Sequence, residues 1–223
     1  ITEHKMTHKS KIMSLDIKSS ELVLFSKKYI SSLLDKTLHT DSFDSLPKPF
    51  YCATTNLMTT KGEIISTGDR LKKYTLASMS IPVLFQSVVI DSMVYIDGGI
   101  TNNLPACAIR EKCDILIGVD VNPYTEVKKI GSIKEAVMRT MTTLVMNTSK
   151  EGRECCDYIV DVYASHDYSI LDFAKFKEIY KIGYDAGVRF LLNNPELLKT
   201  SKEFKDKQLH KKQETDSKKK KRK

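Results

Sequence analysis
The sequence predicts an α/β fold: three layers, with a mainly parallel sheet held between helices. Three observations carry this expectation. Short runs rich in β-branched and aromatic residues alternate with longer segments of helical periodicity. CDILIGVDV (113–121) is apolar on both alternations, the pattern of an internal parallel strand. Ser132 and Glu135 have capping-box spacing ahead of a long apolar stripe.

The elements follow in order. Residues 1–20 are polar and lack clear periodicity. Residues 21–39 place Leu22, Leu24, Phe25, Tyr29, Ile30, Leu33 and Leu34 at helical intervals, and Pro47 and Pro49 break the pattern. PFYCATTNLM (49–58) reads as a buried strand and EIIS (63–66) as a shorter one. A helix over 69–80 is predicted from Leu71, Tyr74, Leu76 and Ala77, with Pro82 beyond its end. VVIDSMVYIDGG (88–99) reads as two short strands meeting at Asp91–Ser92, the second stopping at Gly98–Gly99. Pro105 suits the first turn of a short helix, 105–112, with Asn102 or Asn103 as cap. After the 113–121 strand, the helix that begins past Ser132 carries Ile133, Val137, Met141, Leu144 and Val145. DYIVDVY (157–163) is another strand. Residues 172–192 make a final amphipathic helix through Phe176, Ile179, Tyr180, Gly183, Ala186, Phe190 and Leu191.

Composition narrows the function. Of 223 residues, 41% are hydrophobic and 29% charged, which supports a packed core and not disorder throughout. No apolar run approaches the ~18 residues of a membrane span. The formal net charge is +8. Residues 201–223 hold eleven Lys/Arg against four Asp/Glu, a net of +7, so residues 1–200 carry only +1. We therefore divide the chain into a folded part, 1–200, and a Lys-rich tail, 201–223, expected to be disordered. KKKKRK (218–223) suits solubilisation first and peripheral contact with anionic membrane second. No aromatic residue interleaves with the lysines after Phe204, so specific nucleic-acid binding has no support. Five cysteines with no C-x-x-C argue against a disulfide framework or a zinc site and make a reducing compartment the default. The five histidines have no metal spacing, and no metal site is expected. Met138, Met141 and Met146 serve core packing or line an apolar channel.

The chemistry concentrates in 77–121. A strand ends in Asp97, followed by Gly98, Gly99, Asn103 and Pro105. A carboxylate at the carboxyl end of a strand is where open α/β folds build their sites, and an Asp held there can act as a general base. The glycines allow positive φ and close approach of backbone or ligand. By itself Asp-Gly-Gly is also ordinary turn chemistry.

Four pieces in order, CATTNLMTTKGEIIS, ASMSIPVLF, VYIDGGITNNLP and CDILIGVDVNP, resemble the downstream part of a patatin-like phospholipase domain of the bacterial type. The resemblance runs from about residue 21 to 192 and is densest over 52–121. It implies hydrolysis of phospholipid or other acyl esters by a Ser–Asp dyad, without cofactor, and it carries only the aspartate over, onto Asp97. The family's G-x-S-x-G serine elbow and Gly-rich oxyanion loop have no counterpart here. Val83 also stands where many relatives have glycine. The expectation is therefore an amino-terminally incomplete copy, inactive alone and poorly stable or prone to associate, from a parent hydrolase that is cytoplasmic or peripheral at a membrane. Secretion stays open because the chain begins at Ile1. The alternative is a catalytically inactive acyl-lipid-binding or interaction module of the same fold.

Overall fold
The computed structural model describes residues 27–199 except 83, 123–125 and 169–171. The tail (201–223), Val83 and the start of the first predicted helix (21–26) lie outside the described residues. The chain divides into two compact units, Ile1–Phe176 and Lys177–Lys223, a boundary earlier than residue 200.

In the first unit, α1 (Lys27–Thr37) precedes strands β1 (Cys52–Asn56) and β2 (Lys61–Ile65), which form an antiparallel hairpin. Helix α2 (Leu71–Ser78) follows, then β3 (Val88–Ile90) and β4 (Met93–Asp97). Asp91 and Ser92 both take positive φ, 49° and 65°, the two-residue turn whose twist suits a tight hairpin. β4 also pairs with β1, giving the sheet order β2-β1-β4-β3. This sheet buries two adjoining clusters against α2: Ala77, Val88, Ile90 and Tyr95 on one side, and Phe43, Cys52 and Leu71 on the other. The Tyr95 hydroxyl donates to Glu63, whose other oxygen accepts from Asn56, so one carboxylate ties β1, β2 and β4 together.

A short α3 (Gly99–Asn102) and a 3₁₀ helix (Ala106–Lys112) lead to β5 (Ile117–Asp120). Helix α4 (Ile133–Thr148) begins as the sequence implies: the Glu135 amide donates to the Ser132 hydroxyl at 3.1 Å. The Glu135 carboxylate accepts from the Gly131 amide, one residue ahead of the expected partner. Helix α5 (Lys150–Glu154) and β6 (Tyr158–Asp161) complete this unit. β6 pairs in parallel with β5, and Arg153 bridges Asp120 and Asp161 across their ends.

The α/β class is as expected, but strand pairing differs in detail. Among the described residues the four-stranded sheet is antiparallel, and the parallel arrangement is confined to β5 and β6. Hairpin turns of two to four residues join β1 to β2 and β3 to β4, and such short links force antiparallel neighbours. β5 is also less internal than its composition implies, since Ile117 and Val119 are exposed while Gly118 and Asp120 are buried. On α4 the predicted stripe is only partly inward: Ile133, Val137 and Leu144 are exposed, while Met141 and Val145 are half-buried.

One expectation is overturned. Cys107 and Cys155 form a disulfide across 48 residues. The 3₁₀ helix and the end of α5 meet there, with Cα atoms 5.2 Å apart, a span a disulfide bridges. The other three cysteines are free thiols.

The second unit is carried by α6 (Phe176–Asn193), which begins at the boundary residue. Its buried residue is Ala186, and Ile179, Gly183 and Phe190 are half-buried. Tyr180 and Leu191, expected on the packed side, are exposed.

Candidate active site
Asp97 is the last residue of β4, and backbone contacts hold it on three sides. Its amide donates to the Ser80 carbonyl at 3.1 Å, and its carbonyl accepts from the Thr55 hydroxyl at 2.9 Å. Its side-chain Oδ1 accepts from the Gly99 amide at 2.7 Å. Burial pushes the Asp97 carboxyl above its ordinary value, and the Gly99 hydrogen bond opposes that shift without cancelling it. A carboxyl raised in this way, with its second oxygen unbonded among the described residues, is a candidate proton acceptor.

The two glycines matter for space, not for left-handed backbone. Gly98 has φ −66°, and Gly99 is not among the residues of positive φ. A Cβ on Gly98 would lie 2.3 Å from the Ala53 carbonyl oxygen, so only glycine lets β4 turn this close to β1. A Cβ on Gly99 would lie 3.0 Å from both Asp97 Oδ1 and Asn103 Oδ1.

Asn103 does not cap the following helix. Its side-chain amide donates to the Ser149 hydroxyl at 2.8 Å, where α4 meets α5. Thr148 donates to the Gly99 carbonyl at 2.7 Å, so the Asp-Gly-Gly turn is fixed from the α4 side as well. Pro105 stands just before the 3₁₀ helix, with no side-chain cap. Asp97, Gly98, Gly99, Asn103 and Pro105 are thus gathered in one place, and all five line a cavity of about 360 Å³.

That cavity is walled on its other side by Phe50, Tyr51, Cys52, Thr75, Ser78 and Met79. A second cavity, of about 130 Å³, also reaches Asp97 and is lined by Ile81, Ile100, Met138, Met141 and Val145 among others. Two of the three methionines considered as channel residues therefore flank Asp97, whereas Met146 is buried in packing.

The cavity's own nucleophiles are poorly placed. Burial pushes the Cys52 thiol up, a hydrogen bond with Ser78 opposes this, and the nearby Asp97 charge adds to it. Cys52 is therefore a protonated thiol at neutral pH. Thr75 is spent on the Leu71 carbonyl at 2.7 Å. Among the described residues no hydroxyl reaches the Asp97 carboxylate, and no cluster of His, Cys, Asp or Glu could hold a metal ion. No helix among them is long and apolar enough to cross a membrane.

Ser149, Thr148 and Thr55 were not expected in this site. They act through single hydrogen bonds between residues 42 to 49 positions apart, which no local pattern announces.

Comparison with known proteins bears on the same segment. Residues 7–108 match the family model for patatin-like phospholipase. The chain is 28% identical to lysophospholipase NTE1 of Kluyveromyces lactis over 64% of its length, and 27% identical to that of Saccharomyces cerevisiae over the same share. It is 25% identical to lysophospholipase NTE1 of Phaeosphaeria nodorum over 70% of its length. The matched regions make up 12%, 10% and 12% of those relatives, so the chain spans about a tenth of their length. Residues 7–108, which carry β1 to β4 and Asp97, are thus the part of the chain that is similar to the patatin-like phospholipase family.

Proposed function
We propose that this chain supplies the general base of a lipid acyl hydrolase, with Asp97 as the aspartate of a Ser–Asp dyad and a serine contributed from upstream of residue 1. The observation that carries the reading is the Asp97 carboxyl itself: raised by burial, anchored through one oxygen to the Gly99 amide, and opening onto two cavities. In this mechanism the serine hydroxyl attacks the ester carbonyl carbon while Asp97 takes its proton. That proton then passes to the departing alcohol. Water, deprotonated by the same carboxylate, releases the fatty acid and restores the serine.

Lysophospholipid is the substrate we favour. Isoleucine, valine and methionine side chains line the smaller cavity beside Asp97 and suit the methylenes next to the scissile ester. The relatives' name, lysophospholipase, agrees with that choice. No metal or cofactor enters the mechanism.

The test uses the longer protein that contains this chain, assayed on lysophosphatidylcholine. Asp97→Asn keeps the oxygen that Gly99 binds and removes the base, so kcat should fall by about 10²–10⁴-fold with the fold intact. Full turnover by the Asn variant would overturn the role of Asp97. A parent protein that binds the lipid but never turns it over would instead support the non-catalytic binding module.

A further inference from the structure
The Cys107–Cys155 disulfide stands close to the Asp97 site. Cys107 comes two positions after Pro105, which lines the larger cavity. Cys155 comes six positions after Ser149, the partner of Asn103. The segment 103–107 is thus laid against the segment 149–155. At one end the Asn103 amide donates to the Ser149 hydroxyl at 2.8 Å, and at the other the disulfide joins Cα atoms 5.2 Å apart. Between them a Cβ on Gly152 would lie 1.7 Å from the Leu104 carbonyl oxygen, so the two backbones touch.

What the bridge encloses gives it a role. The chain between the two cysteines includes β5 and α4. The smaller cavity at Asp97 takes its walls from both sides of this division. Ile81, Asp97 and Ile100 precede Cys107, whereas Met138, Met141 and Val145, all on α4, fall inside the bridged loop. The disulfide therefore staples one wall of that cavity to the other. The Asn103–Ser149 bond and the Thr148 bond to the Gly99 carbonyl join the same two walls, but they are neutral hydrogen bonds that water replaces at little net cost. The covalent link is the one that thermal opening does not break.

The bridge is also within reach of a reductant. Cys107 and Cys155 are half-buried, and the neighbouring Glu151, Glu154 and Asp157 are exposed. The adjacent Cys156 is differently placed: its thiol donates to the Gly152 carbonyl at 3.3 Å and packs against Gly118.

We propose that Cys107–Cys155 is a redox-labile clamp on the Asp97 site, opened by a dithiol reductant. The reductant's thiolate attacks one sulfur and forms a mixed disulfide, and the other cysteine leaves as a thiolate. The reductant's second thiol then displaces the first cysteine. The reductant ends as a disulfide, oxidised by two electrons, and two protons pass to Cys107 and Cys155. With the clamp open, the α4 wall drifts from Asp97 and turnover falls. The fall in turnover rests on the catalytic reading above; the loosening of the site does not.

The experiment therefore has two arms, each run with and without dithiothreitol. The first is amide hydrogen exchange of the 223-residue chain. Reduction should speed exchange over 99–107 and 138–149 more than in β1 and β2, and the Cys107→Ser, Cys155→Ser double variant should match the reduced wild type and ignore the reductant. The second arm is turnover of lysophosphatidylcholine by the longer protein that contains this chain. Reduction should lower kcat by up to about 10²-fold, the cost of a misplacement near 1 Å, and reoxidation should restore it. Cys156→Ser should keep the full response. An equal rise in exchange everywhere, β1 and β2 included, would make the bridge a stability element and overturn the clamp. So would a double variant that still responds to dithiothreitol, or an active wild type whose kcat ignores it. A parent protein that turns over no lysophospholipid defeats the catalytic reading instead, and the exchange arm still decides the clamp.

Discussion

Alanine at Gly98 puts the close approach of β4 to β1 under direct test. The added Cβ would sit 2.3 Å from the Ala53 carbonyl oxygen and 2.5 Å from its carbon, whereas ordinary contact begins near 3.4 Å. The obstruction is backbone, so no side-chain rotation relieves it, and the strands must part by about 1 Å. The Thr55 hydroxyl bond to the Asp97 carbonyl, 2.9 Å long, is then stretched past the range of a hydrogen bond. Overpacking contributes about 1–3 kcal/mol and the lost hydrogen bond about 0.5–1.5 kcal/mol. The sum, about 1.5–4.5 kcal/mol, corresponds to a fall of roughly 3–18 °C in Tm for a chain of this size.

Two other glycines give the scale. At Gly99 the added carbon would meet the side-chain oxygens of Asp97 and Asn103 at 3.0 Å, and flexible ends can give, so Gly99→Ala should destabilise less than Gly98→Ala. At Gly183, inside α6, nothing lies within 4 Å, so alanine should raise Tm by its helix propensity alone, about 1 kcal/mol. Thermal melts followed at 222 nm rank the three variants. A Gly98→Ala protein that melts as high as Gly183→Ala would refute the packing of β4 on β1 and, with it, the placement of Asp97.

Two further predictions concern charge and sulfur. Because the folded-state pKa of Asp97 is raised by burial, the fold holds this proton more tightly than the unfolded chain does; stability from this group is fully present below the ordinary carboxylate pKa of about 3.9 and is lost as pH rises through the folded value. Asp97→Asn should therefore melt above wild type at pH 7 and lose that advantage in acid, and a gap independent of pH would show that the carboxylate is not desolvated. Thiol titration of the unfolded chain without reductant should find three sulfhydryls, and five after reduction. Cys107→Ser with Cys155→Ser should lower stability by up to about 4 kcal/mol, the chain-entropy value for a loop of this length, and five titratable thiols in the unreduced wild type would refute the bridge.

Local chemistry made part of this molecule legible. The hairpin at Asp91–Ser92, the start of α4 at Ser132, the helix over 71–78 and the Asp97 turn all follow from residues within a few positions of one another. Sheet polarity did not follow from alternation, because a buried strand reads alike whichever way its neighbour runs. It is set by pairings such as Thr54 with Asp97, 43 residues apart, and by the short turns that close the hairpins. The disulfide was hidden for a related reason: Cys107 and Cys155 have no diagnostic spacing, and only the meeting of the 3₁₀ helix with α5 brings them together.

The site divides along the same line, and the division bears on its chemistry. Asp97 and its glycines are adjacent in sequence, so the motif is visible. What distinguishes a general base from a tight turn is the environment, and that is assembled from afar. Ser80 and Thr55 fix the Asp97 backbone, Thr148 fixes the Gly99 carbonyl, and Ser149 holds Asn103 through its amide. Each of these contacts pins backbone or a neighbouring side chain and leaves the second carboxylate oxygen of Asp97 unoccupied among the described residues. A turn aspartate in ordinary use would spend both oxygens on the amides that follow it or face water. Here one oxygen is spent on Gly99, burial raises the pKa of the group, and the other faces space lined by aliphatic and thioether side chains. The raised carboxyl therefore owes its surroundings to the packing of α3, α4 and β1 around the motif, and substitutions at Thr55 or Ser149 should disturb it as surely as substitutions within Asp-Gly-Gly.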